Sequence, residues 1–473
     1  MTSQGSHTFS TRQIFTLAVG PLIGIGWITV LGSWLADAGS VGAMLAFLVG
    51  GVFMLPIVFC YAEIASRHPA AGGEIAYARR YFGRPAAFVA GWLLAFTYIA
   101  VCAFEAISVG WIAGVLVPAL KGPKIYSIFG HSVYAGEFLT GLVALTMIAF
   151  ANYRGAHLLR IFQDTTTFLK LGGAVIFILL GLIFGKTGNL EPYFIEDAPF
   201  AGFMAVLVTA PFWFAGFNAA VQAIGDDQGR RNTGAAGRAL VAALLVAILF
   251  YCGIVAASAM SMPRADLLAS ELPTAAAFEA VFNSRLMRNA VLVTGLMGLL
   301  STWNAIFLAA TRVLAALAED GWLPTAIAQK HPAHQTPVVA VVMVGLLTLA
   351  GMLFGRSVVL PAVSTSSICL SAMFTLVAFA TLQARQKYGR DGATFSVPGG
   401  TPVIVIASLL SSLMLLVGLM QPALTVRGVP GEWLTLGGWL LVGGALFWER
   451  SARGVSAAGT PAIEQNLKQQ GRE

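Results

Sequence analysis

Apolar runs long enough to cross a membrane recur from one end of this chain to the other. A helix of about 20 apolar residues spans the hydrocarbon core of a bilayer while satisfying its own backbone hydrogen bonds. Twelve such runs are legible, at roughly 14–36, 41–64, 86–117, 133–152, 160–185, 200–224, 236–261, 287–317, 337–355, 359–384, 402–421 and 431–449. They leave no room for a soluble domain on a single anchor. Charged residues make up 10% of the 473, against about 25% in soluble domains. The sequence therefore predicts an all-α polytopic membrane protein of about 12 transmembrane helices, with the lipid bilayer as its solvent.

The connecting loops set an orientation. With the N-terminus cytoplasmic, Arg12, Arg67, Arg79, Arg80, Arg84, Arg154, Arg160, Arg230, Arg231, Arg238, Arg385, Lys387, Arg390, Arg450 and Arg453 all fall on the cytoplasmic side. Over all loops, about 19 basic residues lie inside and about 8 outside, so both termini are expected in the cytoplasm. The loop between the fifth and sixth spans, on the opposite side, is acidic (Glu191, Glu196, Asp197). The net charge of +7 then follows from topology. Its basic residues are scattered over many loops, which argues against a nucleic-acid partner. The polar start, Met1 to Arg12, precedes a membrane-length first run, so no cleavable signal is expected. The tail after Arg450 is polar and expected to be disordered.

Chemistry-bearing clusters are sparse. Cys60, Cys102, Cys252 and Cys369 sit inside apolar spans without metal-ligand spacing, and no His pairs with Cys or Glu at such spacing. No complete Gly-x4-Gly-Lys-Ser/Thr phosphate loop is present, which argues against ATP hydrolysis in this chain. No nucleophile–base pattern stands out either, so no cofactor or metal is expected and an enzyme is disfavoured.

Two spans are interrupted at their middles. The first carries Gly20-Pro21-Leu22-Ile23-Gly24-Ile25-Gly26, and the sixth carries Ala210-Pro211-Phe212-Trp213-Phe214-Ala215-Gly216. Pro removes an amide donor and Gly weakens a helix, so each span should break near the bilayer midplane. Broken backbone at that depth survives only where protein buries it or where it lines a cavity, and paired breaks point to a transporter's binding site. The first break, Ile23 to Gly26, would bare amides suited to a carboxylate. The second, Phe212 through Trp213, Phe214 and Ala215 to Gly216, would bare carbonyls suited to an ammonium. Together they form a receptor for an α-amino acid; the plainer alternative is that these glycines only let helices pack closely.

Two charged residues lie mid-membrane. Lys170 is about ten residues, or ~15 Å, along the fifth span, too deep for its stem to reach the interface. An amine held there can lose and regain a proton, which makes Lys170 a candidate proton-coupling site against the carbonyls of Gly20 to Ile23. The alternative is a permanently charged structural pin. Glu105, in the third span, would receive a cationic group of the substrate, serve as a second proton site, or act as a neutral packing residue. Trp303 and Asn304 in the eighth span are candidate pocket-lining residues. Elsewhere, Glu63 and Arg67 suit an interfacial pair. Asp226, Asp227, Arg230 and Arg231, with Arg312, Glu319 and Asp320, form either an inner gate or solvated anchors. The segment Thr274 to Asn283 is amphipathic and is expected on the outer surface as a gate element.

Ile23-Gly24-Ile25-Gly26 resembles the first-helix motif of the amino acid–polyamine–organocation (APC) permeases. Tyr61-Ala62-Glu63-Ile64 followed by Gly72-Gly73-Glu74, Phe212-Trp213-Phe214-Ala215-Gly216-Phe217, and Ala309-Ala310-Thr311-Arg312 ending Asp320-Gly321-Trp322-Leu323-Pro324 are similar to further family segments. The four occur in the family's order over the first eight spans. The resemblance implies a leucine-transporter-like 5+5 inverted repeat plus two extra helices, and alternating access. It also implies that Lys170 stands where the family's fifth-helix lysine is proposed to replace a sodium ion. Ile25, between the paired glycines, and Asn218, after Gly216-Phe217, depart from the usual small or hydroxylated residue and the usual acidic residue.

The expected organisation is a cytoplasmic N-terminus (1–13), a first five-helix repeat (14–186), an external loop (187–199) and an inverted second repeat (200–385). Two accessory helices (400–450) and a cytoplasmic tail (451–473) follow. The expected function is secondary transport of an amino acid across a plasma membrane, of the bacterial inner-membrane kind, by proton symport through Lys170. Exchange, or carriage of an amine or polyamine, is the alternative within the fold. A channel or receptor would need no paired breaks.

Overall fold

The structure is a computed structural model that describes residues 11–68, 72–154, 160–218, 220–221, 233–425 and 429–452. Every one of the expected spans corresponds to a helix or a broken helix. Among the described residues eight helices are long and apolar enough to cross a membrane, and three shorter apolar stretches, Ile14–Thr29, Pro199–Trp213 and Val338–Met352, join them. The last expected span is the helix Gly431–Ala452. The chain is thus a polytopic helical membrane protein.

The first span runs as Thr11–Leu22, leaves helical geometry at Ile23 to Ile25, and resumes as Gly26–Thr29. It continues into Leu31–Arg67, a helix kinked at Gly39. There the chain turns back to begin the second span. Gly39 has φ 75°, and a methyl there would meet the Pro192 and Tyr193 carbonyls within 2.9 Å, so only glycine fits. The loop that covers this turn is fixed by Tyr193, whose carbonyl accepts from the Val41 and Gly42 amides at 3.0 Å each. The sixth span is broken as well, into Pro199–Leu207 and Ala210–Trp213, with non-helical backbone from Phe214 to Gly216.

Two features lie outside the expected pattern of spans. The fourth span, expected from residue 133, begins at Ala135, because Lys124–Ile128 and His131–Tyr134 form an antiparallel hairpin. Its turn is Phe129-Gly130, both with positive φ, the geometry that matches strand twist. The segment expected on the outer surface is the helix Pro273–Phe282, and Thr274, Ala275, Ala277 and Phe278 are buried. Its apolar face packs on the first and fifth spans: Phe278 stacks on Phe177 at 3.8 Å and meets Trp27 at 6.4 Å.

Glu63 and Arg67 form the expected ion pair, at 3.2 Å, with both side chains buried within the protein. Arg385 of the tenth span also binds the Glu63 carboxylate, and the Val397 amide donates to it at 2.8 Å. A buried carboxylate needs this complement of donors. Asp320 is held by Arg79, and Arg84 donates to its carbonyl at 2.8 Å. Asp226, Asp227, Arg230 and Arg231 lie outside the described residues. Trp92 and Trp439 stack at 4.4 Å and exchange indole-to-carbonyl bonds of 2.8 Å, which docks the last helix on the third span.

Candidate functional site

The two breaks touch each other. A methyl at Gly216, where φ is 121°, would come within 2.8 Å of Pro21 and Leu22. One at Gly26 would overlap the Trp213 ring. Each break therefore fits into a space that a glycine of the other leaves open. Tyr251 of the seventh span sits between them, its hydroxyl donating to the Leu22 carbonyl at 3.0 Å and its ring stacked on Phe47 at 4.7 Å.

Beside the breaks lies a cavity of about 80 Å³. Pro21, Gly24, Ile25 and Gly26 form one wall, and Phe212, Trp213, Ala215, Gly216 and Asn218 a second. The facing wall is a stripe of the third span, Thr97, Tyr98, Val101, Phe104 and Glu105, with Thr302, Ala305, Ile306 and Ala309 of the eighth. Among the described residues, no backbone carbonyl accepts from the amides of Gly24, Ile25, Gly26 and Trp27. At the other break the Phe212 carbonyl accepts from Ala215 N at 3.2 Å, whereas no described backbone donor reaches the carbonyls of Trp213 and Phe214. One break thus presents donors and the other acceptors.

Of the residues singled out from sequence, Gly24, Ile25, Gly26, Phe212, Trp213, Ala215, Gly216 and Glu105 line this cavity. Ile23 and Phe214 are fully buried and do not. Phe214 packs edge-on against Phe47 and Tyr251. Trp303 and Asn304 lie off the cavity, a correction to their expected place. Asn304 accepts from Asn152 Nδ2 at 2.9 Å, toward the fourth span, while their neighbours Thr302 and Ile306 face inward.

Lys170, 4% exposed, donates from Nζ to the Ile23 carbonyl and, at 3.3 Å, to that of Gly20. Its stem packs on Gly298 of the eighth span, where a methyl would meet Cδ at 3.3 Å. The ammonium therefore satisfies carbonyls freed where the first half-helix ends. Glu105 is 2% exposed, and among the described residues its Oε2 is buried without a hydrogen-bond partner. Asn218, one of the departures from the family pattern, accepts from the Gly216 amide at 3.0 Å and donates to the Tyr98 hydroxyl at 3.5 Å. Among the described residues no cluster of His, Cys, Asp and Glu is arranged to hold a metal.

Sequence reasoning passed over Thr97, Tyr98, Val101 and Phe104, although they stand eight, seven, four and one residues before Glu105, on one helical face. Tyr251 and the Thr302–Ala309 stripe carried no comparable signal.

A helical membrane protein with a cavity between two broken, interlocked spans has the build of a carrier. Residues 9–444 match the family model described as "Amino acid permease", and the chain belongs to that family. It is 25% identical over 457 residues to the methylthioribose transporter of Bacillus subtilis, covering 94% of this chain and 93% of the relative. The branched-chain amino acid permease BcaP of the same species is 24% identical over 444 residues, 91% and 90% of the two chains. Cationic amino acid transporter 4 of Mus musculus is 24% identical over 421 residues, 83% of this chain and 62% of the relative. Family and relatives are permeases and transporters, not enzymes.

Proposed function

We propose that this protein is a secondary active transporter of amino acids that works by alternating access and is coupled to protons through Lys170. The observation that carries the reading is one cavity walled by both breaks, with amides on one side and carbonyls on the other that no described backbone group pairs. The substrate carboxylate takes the amides of Gly24 to Gly26, and its ammonium the carbonyls of Trp213 and Phe214, next to Ala215. Lys170 holds the carbonyls of Gly20 and Ile23 most tightly as an ammonium, through charge-assisted hydrogen bonds. Loss of its proton weakens that hold and couples protonation to the geometry of the first break. Residues 14–186 and 200–385 then form two five-span units of opposite orientation, with 400–450 accessory. Both termini are cytoplasmic, in a bacterial inner membrane.

The names of the relatives support amino acids as the substrate class, and they include branched-chain and cationic carriers. Glu105 favours a second reading, carriage of an amine or polyamine. Its unpartnered Oε2 beside the cavity suits a cation, and such a substrate needs no carboxylate site.

Uptake of labelled amino acids into proteoliposomes, with and without an inward proton gradient, tests the first reading. Accumulation should follow the gradient, amino acids should compete better than their decarboxylated amines, and Lys170→Ala should abolish the pH dependence. Gradient-driven accumulation by Lys170→Ala refutes the coupling role. Better competition by the amines selects the second reading, and exchange without net accumulation makes the protein an antiporter.

A further inference from the structure

The helix Pro273–Phe282 lies across the first span on the side of the break away from Arg67 and Arg385. Thr274 donates to the Trp27 carbonyl, Phe278 covers Trp27, and Pro273 packs on Gly32, where a methyl would meet its Cγ at 3.1 Å. Arg264, just upstream, donates to the Leu35 carbonyl at 3.3 Å. This strap lies over the first span immediately beyond the Gly24–Gly26 break.

A charge cluster holds the start of the strap. Glu271 accepts from Lys121 Nζ at 2.7 Å through one carboxylate oxygen and pairs with Arg356 at 3.5 Å through the other. Arg356 also binds Glu137 at 2.7 Å, and its guanidinium lies 4.1 Å from the Trp111 ring. Lys121 follows the third span, Glu137 opens the fourth, and Arg356 lies in the turn before the tenth. The anchors thus sit at the ends of the third, fourth and tenth spans, whereas the strap itself rests on the first span.

Exposure separates this cluster from the buried one at Glu63. The Glu63 side chain is 0% exposed and Arg385 7%, a pairing too costly to open in a transport cycle. Glu271 is 46% exposed and Lys121 29%, so water replaces their partners readily when they part. Arg356 keeps Glu137 when Glu271 leaves, so no guanidinium is stranded.

We infer that Glu271 is a releasable latch, which pins the strap closed through Lys121 and Arg356 and sets how often this end of the carrier opens. The inference rests on the alternating-access reading. It predicts an opening equilibrium that is sensitive to salt, because partly exposed pairs are screened.

Ala275, 2% exposed on the strap, is the reporter position. An Ala275→Cys variant, with the native cysteines replaced by alanine, is reconstituted and alkylated with a membrane-impermeant maleimide. Adding Glu271→Gln should raise the alkylation rate by about three- to tenfold, the loss of partly exposed pairs. Raising salt should accelerate the parent and leave the Glu271→Gln form unchanged. Glu279→Gln, on the same helix but paired with Arg285 and Arg288, should leave the rate at the parent value. Equal rates for Glu271→Gln and the parent, or equal effects of Glu271→Gln and Glu279→Gln, overturn the latch. An equimolar mixture of the standard amino acids separates the premises. If it alters alkylation of the parent while Glu271→Gln does not, alternating access stands and the latch falls; if it alters nothing, that reading falls first.

Discussion

Gly24 and Gly26 border the same cavity, yet the structure separates what each contributes. A methyl added at Gly24 has only the Pro21 carbonyl nearby, at 3.8 Å, and points into open space. Gly24→Ala should therefore fold normally. It places a carbon where the carboxylate must approach the amides, and displacing one charge-assisted hydrogen bond costs about 1.5–3 kcal/mol. The substrate KM should rise by about 10- to 150-fold. A methyl at Gly26 would instead lie 2.6 Å from Trp213 Cη2 and 2.9 Å from Cε3. The ring is 4% exposed, packed on Trp34 at 5.1 Å and held by its Nε1 bond of 2.9 Å to Thr209, so it has little room to yield. Overpacking of that kind costs about 1–3 kcal/mol of stability, so Gly26→Ala should lower the melting temperature by several degrees as well as impair transport. The assay is initial-rate uptake in proteoliposomes beside thermal unfolding of the same preparations in detergent. Wild-type KM for Gly24→Ala would refute carboxylate binding at this break. Unchanged melting of Gly26→Ala would refute the interlocking of the breaks.

Three further outcomes follow from buried contacts. Arg385→Met strips a donor from the wholly buried Glu63 carboxylate and should cost about 3–5 kcal/mol, whereas replacing Glu63 and Arg385 together with apolar residues should recover part of it; thermal unfolding of the single and double variants checks this. Trp439→Ala removes the stacked, doubly hydrogen-bonded contact with Trp92 and should cost about 3–5 kcal/mol, read as loss of the folded fraction on heating in detergent. His68, just past the end of the second span, is held at about 4 by burial and by the neighbouring Arg80 and Arg67. Its unfolded value is about 6.5, so the unfolded state takes up the proton first, and stability should fall as pH drops from about 6.5 toward 4. His68→Gln should flatten the melting temperature across that window, and an unchanged slope would exclude His68 as the cause.

Much of the plan is local and therefore readable along the chain. A membrane-length apolar run has few ways to satisfy its backbone other than as a helix, so the spans from Thr11 to Ala452 match their expected ranges within a few residues. Pro21 and the glycines beside it disrupt a helix through their own covalent structure, so the first break falls where the sequence places it. Lys170 is deep because its position along the span makes it so. The hairpin Lys124–Tyr134 had a local signal too, alternating side chains around Phe129-Gly130, but membrane-length windows average over such short strands.

Rotation and long-range partners belong to the tertiary structure. The eighth span is apolar nearly all round, so its pattern gives no phase, and only packing against the third and fifth spans turns Thr302 and Ile306 toward the cavity and Asn304 toward Asn152. The sequence shows only Arg67 as a partner of Glu63, because Arg385, 322 positions away, is invisible to any local window. The interlocking of Gly26 with Trp213 and of Gly216 with Pro21 is of the same kind. Chain chemistry alone determined that two spans must break and that an amine lies midway along the fifth span. The fold decided that the breaks meet, that Lys170 caps one of them, and which faces enclose the cavity, because those outcomes depend on side chains brought together from distant parts of the sequence.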